Sequence, residues 1–188
     1  LTVCYNKFMN IKNFGRNVQF RPKYFYQPSS EDEVLEILNN HKNGKVRVTG
    51  AGHAWNAGIV SSDAFLDIGK LDEIKMVEEG GKSFVWVGGG CKLEKLILNL
   101  TERGLMVPAM GGIMRQSVAG LASTATHGAG RSSFSHYIKE MRSAGYDKET
   151  GQAKIFQYKS GDELLAGRTS VGCMGVIVSM GIECLPRF

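Results

Sequence analysis

The stretch that decides the fold is RVTGAGHAWN, residues 47–56. Val46 and Val48 alternate as in a short strand, and two glycines and His53 follow at once. Glycine permits positive φ angles and lets a ligand approach the backbone closely. Consecutive N–H groups in such a turn form a concave site for anions such as phosphate. The stretch therefore predicts a strand that ends in an anion-binding loop.

The composition indicates an ordered protein with one sizeable domain or two small lobes. Of the 188 residues, 43% are hydrophobic and 22% are charged, which is typical of a chain with a core. The net charge is +5, but the basic residues are dispersed, which argues against nucleic acid as a partner. Four scattered cysteines without a CxxC pair, and four histidines without carboxylate clusters, argue against a metal site. Because signal and membrane-spanning segments are not recognised, we expect a cytoplasmic location.

Helices and strands alternate on both sides of the opening stretch. Residues 30–44 predict a helix that begins with a capping box of Ser30 and Glu33, and residues 92–104 predict a second helix. The turn DKETG, residues 147–151, separates two late strands. The predicted strands are 45–50, 64–68, 83–90, 105–108, 139–146, 153–158 and 174–184.

This order of elements predicts an α+β fold of two lobes. Residues 1–110 are expected to form a small α/β lobe, and residues 111–188 a mostly antiparallel sheet lobe. Two more glycine-rich segments follow the first one, at residues 88–90 and 111–130. The later segment adds serine and threonine hydroxyls that can donate to the same anion.

Common nucleotide-binding and acyl-transfer motifs do not account for these glycines. Gly50 and Gly52 match the first two glycines of a dinucleotide-binding GxGxxG, but Trp55 occupies the third position and no helical period follows. The sequence contains neither a GxxxxGK[ST] phosphate loop nor a GxSxG nucleophile motif.

Three blocks together resemble one family: VTGAGHAWN (48–56), SVAGLASTATHGAG (117–130) and TSVGCMGVI (169–177). In order and spacing they resemble the FAD-binding domain of vanillyl-alcohol-oxidase-type flavoproteins. Within that family they are most similar to sugar-alcohol and sugar-lactone oxidases, such as alditol oxidase and gulonolactone oxidase. The resemblance covers about residues 18–188 and implies a two-lobed α+β fold with FAD as the cofactor.

The resemblance also implies which residues contact FAD. Main-chain amides of residues 49–54 would wrap its diphosphate, and His53 stands where the sugar oxidases bond histidine to the flavin 8α carbon. With an ordinary pKa of about 6.5, a histidine is largely neutral and nucleophilic at neutral pH. A non-covalent flavin beside His53 remains an alternative, and His127 is equally well a structural histidine. The expected contacts are Val48, Thr49, Gly50, Ala51, Gly52, His53, Ala54, Gly112, Ser117, Gly120, Thr124, Ala125, Thr126, His127, Val176 and Ile177.

The implied activity is hydride transfer to FAD from a CH–OH group of a sugar alcohol or sugar lactone, with O₂ as the acceptor. Relatives carry a C-terminal domain that caps the flavin and supplies the substrate-binding and catalytic groups. The chain begins without Met and ends at ECLPRF, about where that domain starts, so we expect a fragment whose catalytic residues lie elsewhere. Two alternative functions stay open.

One is a dehydrogenase of the same superfamily with non-covalent FAD, acting on a hydroxy acid or cell-wall precursor. The other is a non-enzymatic binder of anionic ligands.

Overall fold

The computed structural model describes residues 3–4, 9–80 and 82–187. Helices and strands alternate in its first half and strands dominate the second half, so the predicted α+β fold is confirmed. In chain order the elements are β1 (Val3–Cys4), β2 (Ile11–Lys12), β3 (Gln19–Phe20), β4 (Tyr24–Tyr26), α1 (Glu31–Asn40), β5 (Val46–Thr49), a 3₁₀ helix (Ala57–Ile59), β6 (Ala64–Asp67), β7 (Ile74–Glu79), β8 (Lys82–Gly88), α2 (Leu93–Thr101), β9 (Leu105–Met106), α3 (Val118–Ser123), a second 3₁₀ helix (Phe134–Tyr137), β10 (Ile138–Tyr146), β11 (Ala153–Tyr158), α4 (Gly161–Arg168), β12 (Val176–Glu183) and β13 (Leu185–Pro186).

The first sheet has the strand order β1-β4-β6-β5. β6 pairs in parallel with both β4 and β5, whereas β1 runs antiparallel to β4. Ala64, Phe65 and Leu66 of β6 are at most 1% exposed, as expected for a parallel strand that is covered on both faces. This sheet belongs to the predicted small α/β lobe.

Helix α1 begins as the capping box predicts. Ser30 is its N-cap, and the Ser30 hydroxyl accepts the N–H of Glu33 at 3.2 Å. The last helical residue is Asn40, and the next residue, His41, is buried at the C-cap. Gly44, the predicted stop, lies one turn beyond the helix end and donates its N–H to the His41 carbonyl at 2.8 Å.

The second sheet has the strand order β11-β10-β12-β8-β7 and is antiparallel throughout. β10 and β11 form the predicted hairpin, and the Asp147 carboxylate accepts the N–H groups of Glu149 and Thr150 in its turn. β7 and β8 precede the expected lobe boundary at residue 110, yet they pair with this later sheet. The chain therefore changes sheets between β6 and β7, while the division into lobes at residue 110 stays a prediction.

One cluster of buried apolar side chains joins the two sheets. Helix α1 lies against β10 and β11, where Arg142 donates to both carboxylate oxygens of Glu31 at 3.0 and 2.5 Å. The Tyr146 hydroxyl donates to the Leu38 carbonyl at 2.8 Å. Polar contacts therefore tie the helix of the first sheet to the second sheet.

Some elements were not predicted from the sequence. The sequence predicted no helix or strand between residues 109 and 138, yet this segment contains α3 and the second 3₁₀ helix. Strand β7 and helix α4 were also missed, since neither has a strong hydrophobic period. Among the residues described, no helix has both the length and the apolar character that a membrane crossing needs.

Candidate functional site

The first loop, residues 49–54, begins at the last residue of β5 and presents a row of backbone N–H groups for which the described residues offer no acceptor. Within the described chain, the N–H groups from Gly50 to Ala54 donate no hydrogen bond. Gly52 has a φ of +71°, and a Cβ at this position would meet no atom within 4 Å. The loop residues are half-buried. A row of free amides beside open space is suited to an anion.

The carbonyl groups of the first loop are held by residues 13–17, which we name the N-terminal clamp. The Gly52 carbonyl accepts the N–H of Phe14 at 2.8 Å, and the Ala54 carbonyl accepts Nδ2 of Asn13 at 2.8 Å. The C=O and N–H of a trans peptide point in opposite directions. The N–H groups that follow these two carbonyls therefore point away from the clamp.

His53, at the centre of the first loop, stacks on Phe14. Their ring centroids are 4.4 Å apart and the ring planes differ by 23°. Burial lowers the pKa of His53 below its ordinary value, because a partly desolvated imidazole is harder to charge. The imidazole is therefore neutral at pH 7 and keeps a lone pair on one ring nitrogen.

The first loop meets the second loop, residues 111–130, at one close contact. A Cβ at Gly50 would lie 1.9 Å from Oγ of Ser117. Ser117 is 3% exposed and is the N-cap of α3, where its hydroxyl accepts the N–H of Gly120 at 3.4 Å. The Ser117 hydroxyl and the Gly120 amide are thus hydrogen-bonded to each other. The Ser117 side chain limits how closely the two loops can approach.

The remaining predicted residues of the second loop lie nearer the surface. Gly112, Thr124 and His127 are exposed, whereas Ala125 and Thr126 are half-buried. The Thr124 hydroxyl lies 3.2 Å from the Thr126 hydroxyl, and Ala125 between them has a φ of +51°. Nδ1 of His127 lies 3.1 Å from the carbonyl of the next residue. The structure therefore brings the two threonine hydroxyls together in a strained turn.

Val176 and Ile177 are the first residues of β12 and belong to the core. Each is 5% exposed, and the Ile177 carbonyl lies against Gly89. The glycine segment 88–90 is a packing junction, since a Cβ at any of its three positions would lie within 2.2 Å of a backbone oxygen. Its glycines allow the chain to pack against itself, which the sequence alone did not distinguish from ligand binding.

Two surface cavities lie apart from the predicted site residues. One of about 680 Å³ lies between the N-terminus of α1 and the second sheet, beside Trp86 and Arg142. The other, of about 320 Å³, lies at the C-terminal end of α1 beside His41 and Asp63. Neither includes a residue of the first loop.

A family model described as FAD binding domain matches residues 22–145, which is more than half of the chain and includes both loops. The chain belongs to this family. Its cofactor is FAD, and the resemblance predicted from the three sequence blocks is confirmed.

Relatives of this FAD-binding domain are much longer proteins. A long-chain alcohol oxidase from an uncultured marine euryarchaeote is 37% identical over 177 residues, which are 94% of this chain and 37% of that protein. A D-arabinono-1,4-lactone oxidase from Candida glabrata is 31% identical, and the match covers 96% of this chain and 37% of that protein. The crystal structure of cholesterol oxidase from B. sterolicum superposes with a TM-score of 0.86 at 18% identity, over 94% of this chain and 37% of that one. This last likeness shows the fold.

The first loop of the FAD-binding domain has the chemistry that the cofactor requires. The diphosphate of FAD is an anion, and the N–H groups from Gly50 to Ala54 are donors without a partner among the described residues. Space beside Gly52 is open, so a ligand can approach its backbone. The neutral ring of His53 lies on the same loop. The residues present therefore fit the group.

The N-terminal clamp was not predicted from the sequence. Asn13 is 4% exposed; its Nδ2 also donates to the Asn17 side chain at 2.7 Å, and its Oδ1 accepts the N–H of Val18 at 3.0 Å. Asn17 in turn donates to the Trp55 carbonyl at 2.9 Å. Two asparagines on either side of a glycine are a turn signal that was available in the sequence. Their partners are about forty residues away, and no local pattern indicates them.

Proposed function

We propose that this FAD-binding domain holds the diphosphate of FAD on the N–H groups of the first loop, with His53 at the edge of the flavin ring. We further propose that the whole protein oxidises a CH–OH group of a sugar alcohol or sugar lactone. The observation that carries the first proposal is the row of five amides from Gly50 to Ala54 that are unpaired within the described part of the chain. The second is supported by relatives that are named as an alcohol oxidase and a lactone oxidase.

The two loops make different contacts with FAD. The first loop supplies fixed dipoles that bind the anion without reorganisation, because its carbonyls are already held by the clamp. In the second loop, Gly112, the hydroxyls of Thr124 and Thr126, and His127 are accessible for further contacts. Ser117 acts indirectly, since its buried side chain holds Gly50 at the loop junction. Val48 and Thr49 lead into the first loop, and Val176 and Ile177 contribute through their backbone.

His53 is the residue that we assign to the covalent bond with the flavin 8α carbon. A neutral imidazole has a lone pair for this bond, and the lowered pKa keeps His53 neutral at pH 7. The new C–N bond would replace a C–H bond of the 8α methyl group, and the two protons and two electrons released would pass to O₂ to give hydrogen peroxide. When bound, FAD supplies the hydride acceptor, and O₂ is the final acceptor in an oxidase. The chain itself orients and retains the cofactor. The groups that bind and deprotonate the substrate are expected in a C-terminal domain of the whole protein.

Spectroscopy of the purified protein tests the assignment of His53. We expect a yellow protein whose flavin stays with the polypeptide after acid precipitation. His53→Ala should release the flavin into the supernatant, whereas His136→Ala, an exposed histidine outside both loops, should not. A colourless protein that does not take up added FAD would contradict the binding proposal. Release of the flavin from the unmutated protein would instead favour the dehydrogenase with non-covalent FAD.

An assay of the whole protein tests the substrate class. Sugar alcohols, sugar lactones and long-chain alcohols should be offered separately under air, with hydrogen peroxide as the readout. The proposal expects peroxide from a sugar alcohol or a sugar lactone. Turnover only with an artificial electron acceptor would indicate a dehydrogenase, and turnover with long-chain alcohols alone would contradict the sugar assignment.

A further inference from the structure

The ring of Phe14 stacks on His53 although most of the Phe14 side chain is exposed to solvent. Phe14 is 59% exposed, so it adds little to the core, yet its ring lies 4.4 Å from the imidazole and nearly parallel to it. The contact covers one face of the imidazole. His53 is half-buried, so part of its surface remains accessible. Stacked aromatic pairs prefer a narrow range of geometries.

The backbone on both sides of His53 is held by the same segment. Phe14 donates its N–H to the carbonyl of Gly52, the residue before His53, and Asn13 donates Nδ2 to the carbonyl of Ala54, the residue after it. Asn13 is buried and its side chain makes two more hydrogen bonds within the clamp. The clamp therefore restrains the peptide group before His53 and the carbonyl of Ala54, and the ring of Phe14 lies against the imidazole.

We propose that Phe14 is a positioning residue that sets the ring plane of His53 for its contact with the flavin. The contact between His53 and the flavin rests on the proposed function, whereas the effect of Phe14 on the His53 ring does not. A ring held in one orientation reaches the reacting atom without a search among rotamers. The partial burial that lowers the pKa of His53 agrees with this role, because loss of the Phe14 ring would expose the imidazole to water.

Three variants test the proposal. Phe14→Ala removes the ring, and Phe14→Trp keeps an aromatic face. Leu98→Ala is the matched control, since Leu98 is an apolar side chain of α2 that is 65% exposed. Each protein is produced under flavin starvation, so that no covalent bond has formed, and the His53 imidazole is titrated by NMR, with His53→Ala used to assign its signal. In parallel, each FAD-loaded protein is measured for total flavin and for flavin that resists acid precipitation.

The proposal expects a selective effect of Phe14→Ala. The His53 signal should lose its ring-current shift and its pKa should move up towards the ordinary value, while Phe14→Trp and Leu98→Ala stay close to the unmutated protein. The rate of acid-resistant flavin formation should fall about tenfold with total FAD retained, because the loop amides are untouched. A His53 titration in Phe14→Ala that matches the Leu98→Ala control would overturn the proposal. So would an equal loss of total and acid-resistant flavin, which would show collapse of the loop.

The two measurements separate this proposal from the proposed function. If the unmutated protein holds no acid-resistant flavin, the covalent assignment of His53 fails. The titration in the cofactor-free protein still decides whether Phe14 controls the imidazole. Whether or not the flavin is covalently bound, an altered His53 titration in Phe14→Ala, with an unaltered one in Phe14→Trp, supports the effect of Phe14 on His53.

Discussion

Gly50 lies so close to Ser117 that a Cβ at position 50 would be 1.9 Å from the hydroxyl oxygen and 2.5 Å from Cβ of Ser117. The two residues belong to different loops and are 67 positions apart in the sequence. Ser117 cannot move away freely, because it is 3% exposed and caps α3. This contact joins the loop of free amides to the second loop.

The first prediction concerns Gly50→Ala. The added methyl group overlaps a buried side chain, and overpacking of this kind costs about 1–3 kcal/mol of stability. We expect a lower melting temperature and a loss of bound FAD, because the first loop must shift. Thermal unfolding and the flavin-to-protein absorbance ratio measure the two effects. Adding Ser117→Gly removes both clashing atoms, so the double variant should recover part of the flavin content; no recovery would show that the contact is not the cause.

The second prediction concerns Gly112→Ala. A Cβ at Gly112 would meet no protein atom within 4 Å, and its φ is outside the left-handed region. The variant should therefore keep its stability within about 0.5 kcal/mol of the unmutated protein. If Gly112 contacts FAD as predicted, the apparent affinity for FAD falls while the melting temperature of the cofactor-free protein does not. Unchanged FAD affinity would remove Gly112 from the site.

The third prediction is a pH dependence that arises from His53. Burial lowers the folded-state pKa of His53, so the unfolded chain binds more protons between that pKa and about 6.5. The cost of charging the half-buried imidazole appears as the pH falls through about 6.5 and stops growing below the folded-state pKa. The His53→Asn variant has no imidazole to charge at this position. Its melting temperature should fall less between pH 8 and pH 5 than that of the unmutated cofactor-free protein, and an equal or larger fall would contradict the prediction.

The fourth prediction concerns thiol reactivity. Cys91 and Cys184 are buried, and desolvation raises the pKa of each thiol to about 11. Cys173 is exposed in the turn before β12. Brief alkylation at pH 8 should modify Cys173 and spare Cys91 and Cys184, and peptide mass analysis measures the result. Early modification of Cys91 would show that the junction at Gly88–Gly90 opens readily in solution.

The sequence predicted those parts of the site that are local. The alternation of Val46 and Val48 followed by glycines indicated a strand and an anion-binding loop, and the structure shows β5 followed by free amides. The absence of a helical period after Trp55 agrees with the short 3₁₀ helix at that place. Glycines at 88–90 carried the same local signal, yet their role is close packing against backbone oxygens. Local composition does not tell whether the space beside a glycine is filled by the protein or left open.

By itself, the sequence determined the elements whose cause lies within a few residues: the capped start of α1, the strand into the first loop, and the Asp147 turn between β10 and β11. Only the tertiary structure decided how the first loop is oriented. Its carbonyls are held by Asn13 and Phe14, and its glycine meets Ser117, across separations of about forty and about seventy residues. Such contacts depend on which elements the common core brings together, because a hydrogen bond or a close approach acts only between neighbours in space. The direction of the loop amides is therefore a property of the folded domain.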